Sequence, residues 1–486
     1  MVVNSIAFLI FFVVVFIIYY IPAMKNSVKA QNAWLLLASY FFYGYADIRM
    51  VPLLFAATLI FYLLGIWLKK LMDKEDWKNA SYITTLGTCL GIGLLLYFKY
   101  LNFFAESFSE LLSAIGFKVS WTTLNIVLPI GVSFFTFKLI SYIVEVHRER
   151  IEPSRDFVEF ATYIAFFPTI LSGPIDRPNK FIPQLGGARI FNYDLTVDGC
   201  RQILWGMFTK VFVADNLASV TDSIWSDYSS QSGATLLVIA LLYPIQMYAD
   251  FDGYSNMAIG VGKVLGISVA RNFNHPFLAR NIAEYWRNWH MSLTSWLTDY
   301  VFSPLNIHYR KLKKNGVIIA IMINFLLIGL WHGANWTFVV FGLYHGMLYI
   351  PLILSGEFSR SKKLKPCDNG LPHLNDFLKM CTTFLLVSLG LIVFRADNLG
   401  EAINYLNGII STSILSIPGR KSAIMLYFLP MLLIIEWVTR KKEYALQLSK
   451  SSIFKSRWSR WSLYSFLVLL MVLFGASEQK FIYFQF

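Results

Sequence analysis

The sequence predicts an all-α polytopic membrane protein, and three observations carry that expectation. Of its 486 residues, 56% are hydrophobic and only 15% charged, where a soluble domain carries about 25% charged residues. Mean hydropathy is +0.54. Apolar runs long enough to cross a bilayer, or nearly so, recur along the whole length. They lie near residues 5–22, 33–46, 51–68, 82–98, 124–144, 157–173, 200–214, 234–249, 316–331, 336–354, 377–394, 423–439 and 461–476. About 11–13 transmembrane or re-entrant helices are therefore expected. The first run has no basic segment before it and no Ala-x-Ala site, so it reads as a retained helix rather than a removed signal peptide.

The net charge of +13 does not point to nucleic acid. The basic residues sit in short loops between apolar runs, the pattern of cytoplasmic loops. Lys69, Lys70, Lys74 and Lys78 follow the third run, and Arg148 and Arg150 the fifth. Arg360, Lys362, Lys363 and Lys365 lie before the run at 377. Arg440, Lys441, Lys442, Lys450, Lys455, Arg457 and Arg460 precede the last. This places the N-terminus and the segment after residue 476 outside, provided that one run between 157 and 354 does not span. Arg310, Lys311, Lys313 and Lys314 are read as the same topology signal. The four cysteines, Cys89, Cys200, Cys367 and Cys381, are scattered without a Cys-x-x-Cys pair, which indicates neither a disulfide framework nor a zinc site.

The chain reads as one membrane domain over 1–486, with N-terminal helices to 123, a core over 124–354 and C-terminal helices over 355–486. Polar stretches near 174–199, 355–376 and 395–422 read as loops. No repeat and no inverted pair of broken helices is visible, which weighs against a transporter. Residues 250–310 are too polar to span simply. Tyr248 to Pro304 is polar and aromatic together, a composition tolerated at membrane depth where it is buried in protein or lines a water-filled cavity. Residues 284–300 are predicted as one amphipathic helix, with Trp286, Trp289, Leu293, Trp296 and Tyr300 on one face. Asp252, Tyr254, Ser255, Asn272, Trp286, Arg287, Trp331 and Asn335 are the expected lining of that cavity.

The chemistry is expected at His332, set in Gly329-Leu-Trp-His-Gly-Ala-Asn-Trp336 between two apolar runs. An ionisable group at membrane depth is costly and so reads as functional. Imidazole is also suited to moving a proton near neutral pH. Gly329 and Gly333 flank it and would let a substrate approach closely. His290 is the second candidate. His345, 13 residues after His332, would lie about 220° round a helix from it, so the two are unlikely ligands of one metal, and His345 reads as structural. There is no His-Glu-x-x-His and no Gly-x-Ser-x-Gly, and Gly260-Val-Gly262 is too weak for phosphate binding. One buried histidine, a second 42 positions upstream and a polar cavity suit proton abstraction from a hydroxyl that attacks a carbonyl.

The sequence resembles the membrane-bound O-acyltransferase family, and within it the alginate-type branch. The blocks that carry the resemblance are Leu128-Pro-Ile-Gly-Val-Ser-Phe-Phe-Thr-Phe137, Phe167-Pro-Thr-Ile-Leu-Ser-Gly-Pro-Ile-Asp-Arg177, Asp252-Gly-Tyr-Ser-Asn-Met-Ala-Ile-Gly260, Asn272-Phe-Asn-His-Pro-Phe277, Trp286-Arg-Asn-Trp-His-Met-Ser-Leu293 and the block around His332. Phe394-Arg-Ala-Asp397 and Phe481-Ile-Tyr-Phe-Gln-Phe486 follow. Two positions depart from the family pattern: Asn288 stands where a second arginine is usual, and Leu305-Asn-Ile-His-Tyr-Arg310 replaces the usual Gly-Gly-Asn-Arg.

The resemblance implies helices around a central tunnel, with His332 as the catalytic histidine and His290 as its support. It implies no bound cofactor, acetyl-coenzyme A as acyl donor, and an extracytoplasmic SGNH-hydrolase-like partner that acetylates a polysaccharide. The setting would be the lipid of the bacterial cytoplasmic (inner) membrane. The terminal motif also resembles the C-terminal hexapeptide of a small protein of teichoic acid D-alanylation, which makes Tyr483 a candidate acyl carrier. Peptidoglycan, teichoic acid, lipid or protein acceptors stay open, as does a transporter with a gating histidine.

Overall fold

Small polar side chains set where many of the helices begin. Ser5, Ser27, Asp76, Asp156, Asn281, Asn335 and Asn398 each accept a hydrogen bond from a backbone N–H in the first turn that follows, filling donors a helix cannot satisfy itself. In the computed structural model the described residues are 3–25, 27–117, 127–358, 370–448, 453–477, 479, 481 and 482. The start of the 124–144 run, the basic residues at 360–365, Cys367, Lys450 and Tyr483 lie outside them.

The chain order is α1 Ile6–Tyr19, α2 Pro22–Lys25, α3 Val28–Asp47, α4 Val51–Met72, α5 Trp77–Leu95, α6 Leu101–Ala114, α7 Val132–His147, α8 Phe157–Ala165, α9 Pro178–Leu185, α10 Tyr193–Met207 and α11 Asp215–Trp225. Then come α12 Gly233–Val264, α13 Ile282–Asn288, α14 Met291–Leu297, α15 Ser303–His308, α16 Lys314–His332, α17 Trp336–Leu354, α18 Leu374–Arg395, α19 Leu399–Ile409, α20 Arg420–Met425, α21 Phe428–Thr439 and α22 Arg457–Phe474. The described residues contain no strand. Among them, eight helical stretches are long and apolar enough to cross a membrane. The protein is an all-α polytopic membrane protein.

Several expectations are corrected. The 157–173 run makes only α8, because Pro168 brings no N–H and Phe166–Gly173 proceeds as turns. The Phe167 amide instead donates to Ser39 Oγ at 3.0 Å. The polar stretch after 249 does not end its helix: α12 continues through Asp250, Asp252 and Asn256 to Val264. The apolar run at 82–98 continues past a π-turn at Leu96–Tyr100 into α6. The 395–422 loop contains the amphipathic α19. The 284–300 helix is broken: α13 stops at Asn288, Trp289 is extended, His290 takes a left-handed conformation (φ +44°), and α14 starts at Met291.

The chain forms two compact units, residues 1–203 with 257–270 and residues 204–256 with 271–486. In the first, α3 and α4 pack on α8, and α5 packs on α7. Gly131 (φ +76°) lies where a Cβ would fall on the Ile170 carbonyl oxygen, so the blocks at 128–137 and 167–177 meet backbone to backbone. Lys138 Nζ donates to Thr169 Oγ1 at 3.0 Å and Tyr163 O at 3.2 Å. Arg189 ties Tyr19 Oη and Asn32 Oδ1, both at 2.6 Å, to its own loop carbonyls.

In the second unit the α16–α17 hairpin is the central pair. A Cβ on Gly329 would strike the Phe338 carbonyl, and one on Gly342 the Phe325 carbonyl. Such small-residue contacts are how helices approach closely in a membrane. Lys314 Nζ donates to Leu354 O at 2.6 Å and closes the far end.

Gly329→Val is expected to abolish recovery of monodisperse protein in detergent. Gly93→Ala, where an added Cβ meets nothing within 4 Å, should leave the unfolding midpoint unchanged or raise stability by up to about 1 kcal/mol. Size-exclusion and thermal unfolding of both variants check the contrast.

Candidate active site

His332 is the last residue of α16, and α17 starts again at Trp336. The chain leaves the helix because Gly333 is extended, and Asn335 caps α17 through Thr337 N at 3.0 Å. His332 is buried against the rings of Trp331 (4.9 Å between centroids), Phe394 (4.9 Å), Phe341 (6.0 Å) and Phe338 (6.5 Å). The flanking glycines do not open a path for substrate as expected. Phe338 fills both spaces, with its carbonyl at Gly329 and its ring at Gly333.

His290 is buried, with Phe251 at 4.7 Å and Trp331 at 5.5 Å. The Trp331 indole therefore touches both imidazoles. The left-handed backbone at His290 is unfavourable for a non-glycine residue. It is held by a bond on each side: Asn274 N donates to Asn288 O at 3.0 Å and Met291 N to Asn272 O at 2.7 Å. Asn272 also donates to Ser255 Oγ (3.0 Å) and accepts from Ser292 Oγ (2.6 Å). The polar blocks read from the sequence thus come together around the kink that aims His290. Burial pushes the His290 imidazole, in a segment outside the long apolar helices, down from 6.5 to about 3, so it is neutral at physiological pH.

A cavity of ≈ 360 Å³ is lined among others by Trp286, Arg287, Met291, Thr294, Asn324 and Ile328. That size falls in the range of small-molecule sites. Ile321, Asn324 and Ile328 descend one face of α16, and His332 is one turn beyond Ile328 on that face. Met291, next to His290, lines the same space. The cavity therefore runs along the helix that ends in His332.

The other predicted residues are placed as follows. Trp286 Nε1 donates to His345 Nδ1 at 3.2 Å. His345 is on α17, not on a continuous helix with His332, so the 220° spacing argument does not apply. Arg287 is exposed and donates to Phe358 O at 2.5 Å at the cavity edge. Asp252 accepts from Asn256 Nδ2 at 2.8 Å. Asn335 Nδ2 donates to Asp397 O at 2.7 Å. Arg310, Lys311, Lys313 and Lys314 are exposed and line no part of this cavity. Among the described residues no cluster of three His, Cys, Asp or Glu could hold a metal ion.

Tyr254 packs on Phe481 at 5.1 Å, Phe251 lies 6.1 Å from the same ring, and Asp250 Oδ2 accepts from Ile482 N at 2.8 Å. Residues 481 and 482 are thus buried in the polar layer, against the phenylalanine that touches His290. Sequence reasoning missed Phe251, Asn324 and Ile328. Asn324 and Ile328 were readable as i−8 and i−4 partners of His332.

The profile of MBOAT, the membrane-bound O-acyltransferase family, matches residues 37–366. The chain is 36% identical over 411 residues to a probable alginate O-acetylase of Pseudomonas aeruginosa, covering 83% of this chain and 73% of that one. It is 30% identical over 418 residues to the peptidoglycan O-acetyltransferase of Helicobacter pylori, covering 81% and 76%. It is 30% identical over 279 residues to the teichoic acid D-alanyltransferase of Bacillus subtilis, covering 56% and 69%.

The depressed His290 value has a sign that can be tested. The unfolded chain binds this proton below about 6.5 while the folded chain does not until about 3. Its stabilising contribution is therefore full above 6.5 and is lost as pH falls, by up to about 1.4 kcal/mol per pH unit. The unfolding midpoint should drop more steeply from pH 7 to pH 5 in the wild type than in His290→Gln; equal slopes would contradict the burial.

Proposed function

Because the chain belongs to the membrane-bound O-acyltransferase family and is an acyltransferase, we propose that it moves an acetyl group from cytosolic acetyl-coenzyme A toward a polysaccharide outside the bacterial cytoplasmic membrane. The single observation that carries this reading is the cavity along α16, the helix that ends in His332. In the proposed orientation the ends of α16 and α17 tied by Lys314 and Leu354 face the cytoplasm, and the cavity lining includes Tyr349 and Phe358 near that end. It would take the thioester arm of the donor. The N-terminus and the segment after α22 lie outside.

His332 is the general base, and His290, neutral and held in place by its kink, orients the reacting groups. The proposed carrier is Tyr483, one residue beyond the buried Phe481 and Ile482. Its phenol oxygen attacks the thioester carbonyl while His332 takes the phenolic proton. The C–S bond breaks, and coenzyme A leaves as thiolate and receives that proton. The products are an aryl acetate at Tyr483 and free coenzyme A. An SGNH-hydrolase-like partner then supplies a hydroxyl that attacks the ester. The acetyl–oxygen bond to Tyr483 breaks, and the proton returns to the phenolate. A phenol with pKa near 10 is a better leaving group than an alcohol, which suits a relay.

The acceptor polymer is proposed as alginate-like on the extent of the match to the alginate O-acetylases. Peptidoglycan is the second reading, since that relative matches over a similar share of both chains.

His332→Ala should lower acetyl transfer by about 10² to 10⁴ while the protein stays folded; full polymer acetylation by that variant would end the mechanism. With radiolabelled acetyl-coenzyme A, mass spectrometry should find label on Tyr483 in the wild type. Tyr483→Phe should carry none and acetylate no polymer.

A further inference from the structure

The segment after α22 is stitched into the second unit by a cluster that the proposed chemistry does not use. Lys210 lies in a π-turn, Phe208–Ala214, between α10 and α11. Its Nζ pairs with Asp215 Oδ1 at 2.7 Å and Asp250 Oδ1 at 2.6 Å, and all three side chains are at most 6% exposed. One cation thus faces two carboxylates in a buried site. Buried carboxylates are costly unless donors meet their oxygens.

The segment after α22 supplies one such donor. Ile482 N donates to Asp250 Oδ2 at 2.8 Å, and Lys210 Nζ donates to Gln479 O at 3.3 Å. Upstream, Asn216 Nδ2 holds Phe474 O at 2.8 Å, and Gly475 sits where a Cβ would crowd Val211. Downstream, the Phe481 ring fills the space between Phe251 and Tyr254.

We infer that Lys210 and Asp250 are positioning residues: a main-chain clamp on Gln479 and Ile482 that sets the register from which the proposed carrier, Tyr483, follows. This rests on the reading of Tyr483 as carrier. Both clamp bonds go to main-chain atoms, so they read register and not side-chain identity. Two residues separate the two clamped positions, and the carrier follows the second directly in sequence. An insertion upstream of Gln479 therefore falls before the clamp, whereas one after Ile482 shifts the carrier itself.

The test uses the full-length protein in detergent or proteoliposomes. One alanine inserted between Ala476 and Ser477 should leave acetyl transfer within about twofold of wild type, because the clamp holds downstream. One alanine inserted between Ile482 and Tyr483 should lower transfer by about 10²-fold, the effect of a small misplacement of a reacting group. Hydrogen exchange should find the Ile482 amide protected in the wild type and in Tyr483→Phe, and unprotected in Asp250→Ala, with Asp250→Asn intermediate. If the two insertions behave alike in an active Tyr483-dependent enzyme, or if the Ile482 amide exchanges as fast as that of the exposed Ser477, the clamp is wrong. Should Asp250→Ala fail to fold, the insertions and the wild-type exchange decide. Should Tyr483→Phe prove fully active, the carrier reading fails, and the exchange arm still tests the clamp.

Discussion

The contact of α16 with α17, backbone against backbone at Gly329 and Gly342, is the constraint on which the site depends. In lipid there is no hydrophobic drive between helices, so close packing of small residues has to hold them. Here that packing leaves no room for a side chain at either glycine. It fixes the end of α16 against the start of α17, and His332 is that end. The rings of Phe338, Phe341 and Phe394 then close on the imidazole from α17 and α18. The glycines around His332 thus serve the helix pair. The open space lies instead along the α16 face that carries Asn324 and Ile328.

The polar layer answers a second constraint, that buried polar groups need partners. Asn272 serves three of them, through Ser255, Ser292 and the Met291 amide. Those bonds stabilise a left-handed histidine that a continuous helix would not allow. A helix through 284–300 would have put residue 290 at the 3.6-residue phase of its neighbours. The break frees it to point at Trp331 instead. Sequence blocks that look like separate motifs are therefore two sides of one turn.

Much of the fold was legible because the apolar runs are long. The failures share a cause. The 157–173 run was counted by hydropathy, but Pro168 and the Ser39–Phe167 bond turn it into a re-folded segment. The stretch 250–264 was excluded by its charges, but Asp250 has a buried cationic partner 40 residues earlier. The kink at His290 depends on Asn272 and Asn274, 16 to 18 residues away. In each case the deciding partner is distant in sequence, and local pattern cannot report it. His332 and His290 were legible as ionisable groups in apolar surroundings, whereas Phe251, which links His290 to Phe481, looked like any core aromatic.

The placement of residues 481 and 482 bears on how one frame serves several polymers. Its relatives are named for alginate, peptidoglycan and teichoic acid, acceptors with little in common beyond a hydroxyl. A cavity of ≈ 360 Å³ is of small-molecule size, far too small for a polysaccharide. If the group that receives the acyl chain belongs to the enzyme itself, the polymer never has to enter. The cavity then needs to recognise only the donor, and the choice of acceptor passes to whatever meets the loaded segment outside. Two histidines, a clamp and a carrier would be common to all such enzymes, while the polymer would be selected by another protein's surface.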